Sequence, residues 1–248
     1  MSPGRTLAIA ERIIRQIVKD RRSAALIIVA PLIVMSLVGF SLIDQKPVLN
    51  RVAPGLLGTF VMFFTFLLTG VSFLRERAQG TLERLMTTTV ARGDILVGYL
   101  LGFLLFATIQ AAVILTFTIV ALQIEYQGNI IEIVAVLLLL VVVAVNLGIF
   151  VSTFANNEFQ VVQFIPIVLL PQIFLSGVII PTDQMPSVME AISVVLPLTY
   201  AVEGLREIMV MDQSLADVWV DLVVLAGFGL GLLIAALATL AYDGRRSA

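Results

Sequence analysis

The sequence predicts an all-α, polytopic membrane fold with six transmembrane helices, and three observations carry that expectation. Hydrophobic residues make up 60% of the 248 residues and charged residues only 13%, against roughly 45–50% and about 25% in soluble proteins. Six stretches, 23–43, 52–74, 95–124, 133–154, 159–181 and 222–242, contain no Asp, Glu, Lys or Arg. Each reaches the roughly 20 residues that carry a helix across a ~30 Å hydrocarbon core. None alternates with the period of two that a barrel strand needs, and only within a helix are all backbone groups satisfied by one segment in lipid.

Along the chain, residues 5–22 come first. Ala10, Ile13, Ile14, Ile17 and Val18 recur at helical spacing while Glu11, Arg12, Arg15, Gln16 and Lys19 fall elsewhere, which predicts an amphipathic helix lying on the inner membrane surface. A signal peptide is the competing reading, but it has an apolar run of about 7–15 residues and an Ala-x-Ala-like site, and this chain has a longer run and no such site. A short outer loop, Asp44 to Arg51, separates the first two spans. The fifth span is interrupted by Pro166, Pro171 and Pro181 and carries Gln163, Gln172 and Ser176. Kinks and polar groups at depth call for neighbouring helices or a wet cavity. Between it and the last span, residues 182–221 hold apolar patches too short to cross, Met189–Leu198 and Tyr200–Leu205, punctuated by Pro186 and Pro197. Short re-entrant helices dipping into the outer leaflet fit this pattern.

Orientation follows from Lys and Arg. Arg5, Arg12, Arg15, Lys19, Arg21 and Arg22 precede the first span, Arg75, Arg77, Arg84 and Arg92 lie between the second and third, and Arg245 and Arg246 follow the last. Lys46, Arg51 and Arg206 are the cations on the alternate side. The positive-inside rule then places both termini and residues 75–92 in the cytoplasm of a cell-membrane protein. The chain has no Cys and no His, which removes disulfides, thiolate chemistry, imidazole catalysis and most zinc and haem sites. Neither a nucleophile with its base nor paired carboxylates emerge, so no catalytic residue, cofactor or metal site is expected.

Residues 75–92, RERAQGTLERLMTTTVAR, form a charged island between charge-free runs. Two readings are open from composition alone: an interfacial helix anchored by its arginines, or a cytoplasmic helix with a polar face offered to a partner. Gly80 allows a turn or a close approach, Thr81 is placed to cap a helix start, and Leu82 and Leu85 stand beside Glu83 and Arg84 as apolar anchors flanked by charge. The island resembles the coupling region of ABC-2 type permeases, the membrane subunits of ATP-binding-cassette exporters, at Arg75, Glu76, Gly80, Thr81, Leu82, Glu83 and Leu85. Phe174 to Ile208 resembles the carboxy-terminal signature of the same family at Ser176, Gly177, Pro181, Met185, Pro186, Pro197, Leu198, Thr199, Tyr200 and Ala201. One departure is Thr88-Thr89-Val90, where many members have a Ser-Pro or Thr-Pro step.

The resemblance covers nearly the whole chain and implies a single ABC-2 transmembrane domain over 1–248. It implies a permease dimer, homodimeric or with a related permease, driven by two copies of a separate cytoplasmic ATPase that binds ATP and Mg. Arg75, Glu76, Gly80–Leu85 and the intervening Arg84 would then be the coupling residues. Only Lys19 and Lys46 are available for a phosphate-binding loop, and neither follows the required glycines, so ATP binding is expected elsewhere. No nucleic-acid role is expected. Phe63, Phe64, Gln110, Asn146, Gln163 and Gln172 are candidates for a substrate path, against the alternative that polar amides in spans bond neighbouring helices. Glu203 and Arg206 complete the outer motif, expected as a stabilising network rather than a gate. The short outer loop favours a hydrophobic or amphipathic substrate, drug-like or lipid. A channel or ion-coupled carrier would need charges within the spans, which carry none, and a membrane-embedded enzyme is disfavoured by the missing His, Cys and buried acids, isolated Ser or Thr hydroxyls being the reactive groups left to it.

Overall fold

The structure, a computed structural model, describes residues 2–86 and 90–246, and of these the side chains of 21–24, 82–83, 86, 92 and 240–246 are outside the description. It is all helical among the described residues, as the charge-free runs predict. The elements are α1 (Pro3–Lys19), α2 (Arg21–Ser41), α3 (Lys46–Ala78), α4 (Thr81–Met86), α5 (Arg92–Val120), α6 (Ile130–Ser152), α7 (Glu158–Leu175), α8 (Ser187–Ser193), α9 (Pro197–Met211) and α10 (Trp219–Arg246), with a 3-10 turn at Thr182–Gln184.

Among the described residues, five helices are long and apolar enough to cross a membrane: α3, α5, α6, α7 and α10. In α2 the apolar part Ala25–Ser41 has 17 residues, about 25 Å at 1.5 Å per residue. The α8 and α9 pair is bent by 94° and passes the same test only if counted as one broken span. Pro197 at the first position of α9 fits this break, because it starts a helix without losing a hydrogen bond and disfavours helix in the residue before it.

α3 and α6 form the most extensive helix pair and the centre of the core, with α9 against both and α10 against α6 and α9. Gly148 of α6 permits the approach: a Cβ there would lie 2.9 Å from Thr69 Cβ and 3.0 Å from the Phe66 carbonyl oxygen of α3. The bundle has two polar ends. At one, called here the island end, lie α1, the α3–α5 connection and the α6–α7 connection. At the other lie the α2–α3 and α5–α6 connections and residues 176–218. There Lys46 donates to the carbonyl of Leu122 at 2.8 Å, closing the end of α5, and Gln127 N–H donates to the Met209 carbonyl at 3.0 Å.

Three expectations about individual elements change. α3 continues through Arg75–Arg77 to Ala78, so the island is not one helix but the end of α3, a Gln79–Gly80 turn and the short α4. The fifth helix stops at Leu175 rather than Pro181, because Gly177 adopts φ +74°. And α1 does not present its whole apolar arc to a membrane surface. Ile9, Ala10, Ile13 and Ile17 are buried, chiefly against α5, while Leu7 and Val18 are 62% and 56% exposed. That contact uses Gly98 and Gly102, where a Cβ would sit 2.7 Å and 2.8 Å from the Cβ atoms of Ile9 and Ile13.

Candidate functional site: the polar junction at the island end

Three consecutive residues at the end of α3 tie together the elements around it. Arg75 donates from Nε and Nη2 to the Glu158 carboxylate at the start of α7, at 2.7 and 3.1 Å, and lies 3.8 Å from the Asp20 carboxylate between α1 and α2. Glu76 turns inward and is 2% exposed. Its carboxylate accepts hydrogen bonds from the Arg12 guanidinium of α1 and, at 2.7 Å, from the Tyr99 hydroxyl of α5. Arg77 donates to the Ser152 carbonyl at the end of α6, at 2.9 Å. A buried carboxylate is tolerated only when paired and hydrogen-bonded, and Glu76 has both. Beside it lies a small cavity of about 60 Å³ lined by Gln16, Asp20, Ser72, Arg75, Glu76 and Phe103 among others.

The N-terminal end of α1 is fixed separately. Asp94, buried in the first turn of α5, accepts from the backbone N–H of Ser2 at 3.1 Å and faces the Thr6 hydroxyl at 3.4 Å. One carboxylate thereby meets the positive ends of two helices.

α4 hangs from this junction. Gly80 has φ +66°, the left-handed conformation that favours glycine at a helix end. The Gly80 carbonyl accepts from Arg84 N–H at 3.1 Å, so Gly80 holds the capping position and Thr81 is the first helical residue rather than the cap. Leu85 is half-buried against the bundle core rather than fully presented outward, and Arg84 is exposed. The side chains of Leu82 and Glu83, and Thr88 and Thr89, lie outside the described residues. Of the eight island residues singled out in sequence, Arg75 and Glu76 therefore face other helices of this chain.

At the opposite end the motif residues assemble around the α7–α9 corner. Gly177 places its carbonyl to accept from Arg206 of α9, and Thr182 donates its hydroxyl to Glu203. Thr199 donates to the Ser193 carbonyl at 2.8 Å and lies 3.1 Å from the Ser176 hydroxyl, while Tyr200 donates to the Val194 carbonyl at 2.7 Å. Pro181 and Met185 flank the 3-10 turn and Pro186 precedes α8. These contacts form a hydrogen-bonded network in which Arg206 binds a carbonyl rather than a neighbouring carboxylate. The corner borders a cavity of about 660 Å³ lined by Arg51, Val178, Asp183, Glu203, Arg206 and Glu207 among others. Arg206→Ala would strand the Gly177 carbonyl and is expected to cost about 1–3 kcal/mol, whereas Lys46→Ala is expected to cost about 1 kcal/mol or less, since that ammonium stays near solvent. Thermal midpoints of the two variants check the order.

The six path candidates are not gathered in one place. Gln172 bonds the Val168 carbonyl at 3.2 Å and accepts from the Leu198 N–H at 3.3 Å, capping the start of α9. Asn146 donates to the Gly229 carbonyl of α10 at 3.1 Å. Both therefore join helices. Phe63 and Phe64 pack edge to face at 5.0 Å, and Gln163 is exposed. Gln110 is buried with neither end of its amide bonded, at a usual cost of about 1–3 kcal/mol per stranded group. Sequence reasoning missed Arg12, Asp20, Asp94, Tyr99 and Glu158, all in the junction. The Gly98-x-x-x-Gly102 spacing in a long apolar run was the available signal that another helix lies against α5.

A bundle of long apolar helices with paired charges gathered at its ends defines a multi-pass membrane protein. A family model for the ABC-2 type transporter matches residues 5–210, and the chain belongs to that family. It is 27% identical over 168 residues to "Probable multidrug ABC transporter permease YbhR" of Escherichia coli (strain K12), covering 68% of this chain and 46% of that protein. It is 30% identical over 193 residues to "ABC transporter G family member 20" of Dictyostelium discoideum, covering 77% and 26%. To "Linearmycin resistance permease protein LnrN" of Bacillus subtilis (strain 168) it is 27% identical over 163 residues, covering 65% and 42%. The chain spans less than half the length of these relatives.

Proposed function

We propose that the chain is the membrane-spanning permease subunit of an ATP-driven exporter, moving a hydrophobic or amphipathic molecule outward by alternating access of a permease dimer. The observation that carries this reading is the junction at Arg75, Glu76 and Arg77. A force applied to α4 reaches α1, α5, α6 and α7 through hydrogen bonds made by three adjacent residues of one helix. A mere surface anchor has no need of such a distribution, whereas a transmission element requires it. The family match and the multidrug and resistance permeases among the relatives support transport as the activity.

In this reading the island end faces the cytoplasm, in accord with the excess of Lys and Arg there, and both termini lie on that side. Two copies of a separate ATPase, which bind ATP and Mg, dock at α4, with Glu83 and Arg84 setting register and Leu82 contributing apolar contact. Arg75 and Glu76 act one step behind that surface, passing its motion to the bundle. A second permease protomer and the surrounding lipid complete the assembly. The test is ATP-dependent accumulation of a panel of lipophilic dyes and labelled lipids by inverted membrane vesicles holding the chain and its ATPase. Accumulation of at least one compound, lost without ATP, is expected. An ATPase-bound, hydrolysing complex that moves none of them would contradict export of this class.

A further inference from the structure

We propose that Gln110 and Thr65 form a second polar latch between α3 and α5, closed in the transport state opposite to the one in which Tyr99 bonds Glu76. The inference deepens the permease reading and rests on it. α3 and α5 lie side by side, pinned near the island end by the 2.7 Å hydrogen bond from Tyr99 to Glu76. Eleven residues separate Glu76 from Thr65, and eleven separate Tyr99 from Gln110. With a rise of 1.5 Å per residue, both lie about 16 Å further toward the opposite end, at one level. Eleven steps of about 100° also return each helix to within about 20° of its starting face. No proline interrupts either segment, so regular helix geometry puts Thr65 and Gln110 within about 20° of the faces that carry Glu76 and Tyr99.

Both are fully buried, at 0% and 1% exposure, yet the Thr65 hydroxyl and both ends of the Gln110 amide are without hydrogen-bond partners. Thr69, whose Cβ lies against Gly148 of α6, has an unpaired hydroxyl as well. A hydroxyl and an amide are complementary, and buried polar groups in a bundle are normally bonded. Between them and the pin, Phe66, Phe73, Phe103 and Ala107 are buried apolar side chains that offer no polar contact to hold one register. A displacement of α5 along or around α3 that frees Tyr99 from Glu76 lets Gln110 bond Thr65. One polar pair is exchanged for another, which makes the interface bistable rather than merely weak.

The chain has no cysteine, so a Thr65→Cys/Gln110→Cys variant reports on this pair alone. The complex with its ATPase is cross-linked nucleotide-free and after trapping with ATP and vanadate, since a disulfide forms only when the Cα atoms approach to about 4.4–6.8 Å. At least a fivefold difference in cross-linking rate is expected, faster in the trapped complex. Equal rates, or no cross-link in either state, would overturn the latch. Should that variant fail to assemble, Thr65→Val and Gln110→Leu replace it. Each is expected to lower ATP-dependent transport at least tenfold while raising the thermal midpoint of the nucleotide-free complex, with the double variant no worse than either; additive losses overturn the proposal. Failure to recover any ATPase with the wild-type chain contradicts the permease reading instead, so the two failures are distinct.

Discussion

Glu76→Ala is expected to destabilise the protein by about 2–3 kcal/mol, the largest loss from any single charge removal at the island end. Glu76 is 2% exposed and its carboxylate neutralises Arg12 while accepting from Tyr99. Breaking a buried pair by removing one partner costs about 3–5 kcal/mol. Arg12 keeps 35% of its side chain exposed, so part of its charge returns to water and the loss falls to or below the bottom of that range. For a chain of this size the midpoint should fall by about 5–10 °C. Arg15→Ala breaks only the exposed pair with Glu11 and should shift stability by less than about 0.5 kcal/mol. Thermal unfolding in detergent separates them, and equal shifts would remove Glu76 from the centre of the junction. In the assembled transporter, Glu76→Ala should also lower transport more than ATP hydrolysis, because α1 and α5 no longer follow α3.

Gly98→Leu should detach α1 from α5. The first side-chain atom would already stand 2.7 Å from Ile9 Cβ and 2.9 Å from the Thr6 carbonyl oxygen. The second of these is backbone and cannot rotate away. The helices must separate, uncovering Ile9 and Ile13, each worth roughly 1.5–3 kcal/mol when buried. A loss of about 3–5 kcal/mol is expected, visible as fast hydrogen exchange across residues 3–19 with the rest of the bundle protected. Gly4→Leu is the control, since nothing lies within 4 Å of a Cβ there. Protected exchange in α1 of the Gly98 variant would show that this packing does not hold the helix.

The long spans were legible in the sequence because lipid admits few solutions: a run of charge-free apolar residues at these lengths has to be a helix. Their ends were less so. Charge marked Arg75 as the end of the second span, yet a helix does not stop where its surroundings become polar. It stops where the backbone changes hand, at Gly80, and likewise before Gly177. Both glycines were noticed without being read as stops. The side on which α1 spends its apolar face is a tertiary fact, and periodicity alone cannot choose between lipid and α5. Glu76 illustrates the remaining limit. Its place in an Arg-Glu-Arg run suggested a polar face offered to a partner, and only the positions of Arg12 and Tyr99, far away in sequence, show that it is buried.

Affinity purification of the chain in mild detergent, comparing wild type with Glu83→Lys and with Arg206→Ala as a control at the opposite end, tests the central claim most directly. Wild type and Arg206→Ala should bring down an ATPase subunit in near-equal amount with ATP hydrolysis, and Glu83→Lys should lose both while still inserting. A stable wild-type bundle with no ATPase partner, even after cross-linking before solubilisation, would contradict the account.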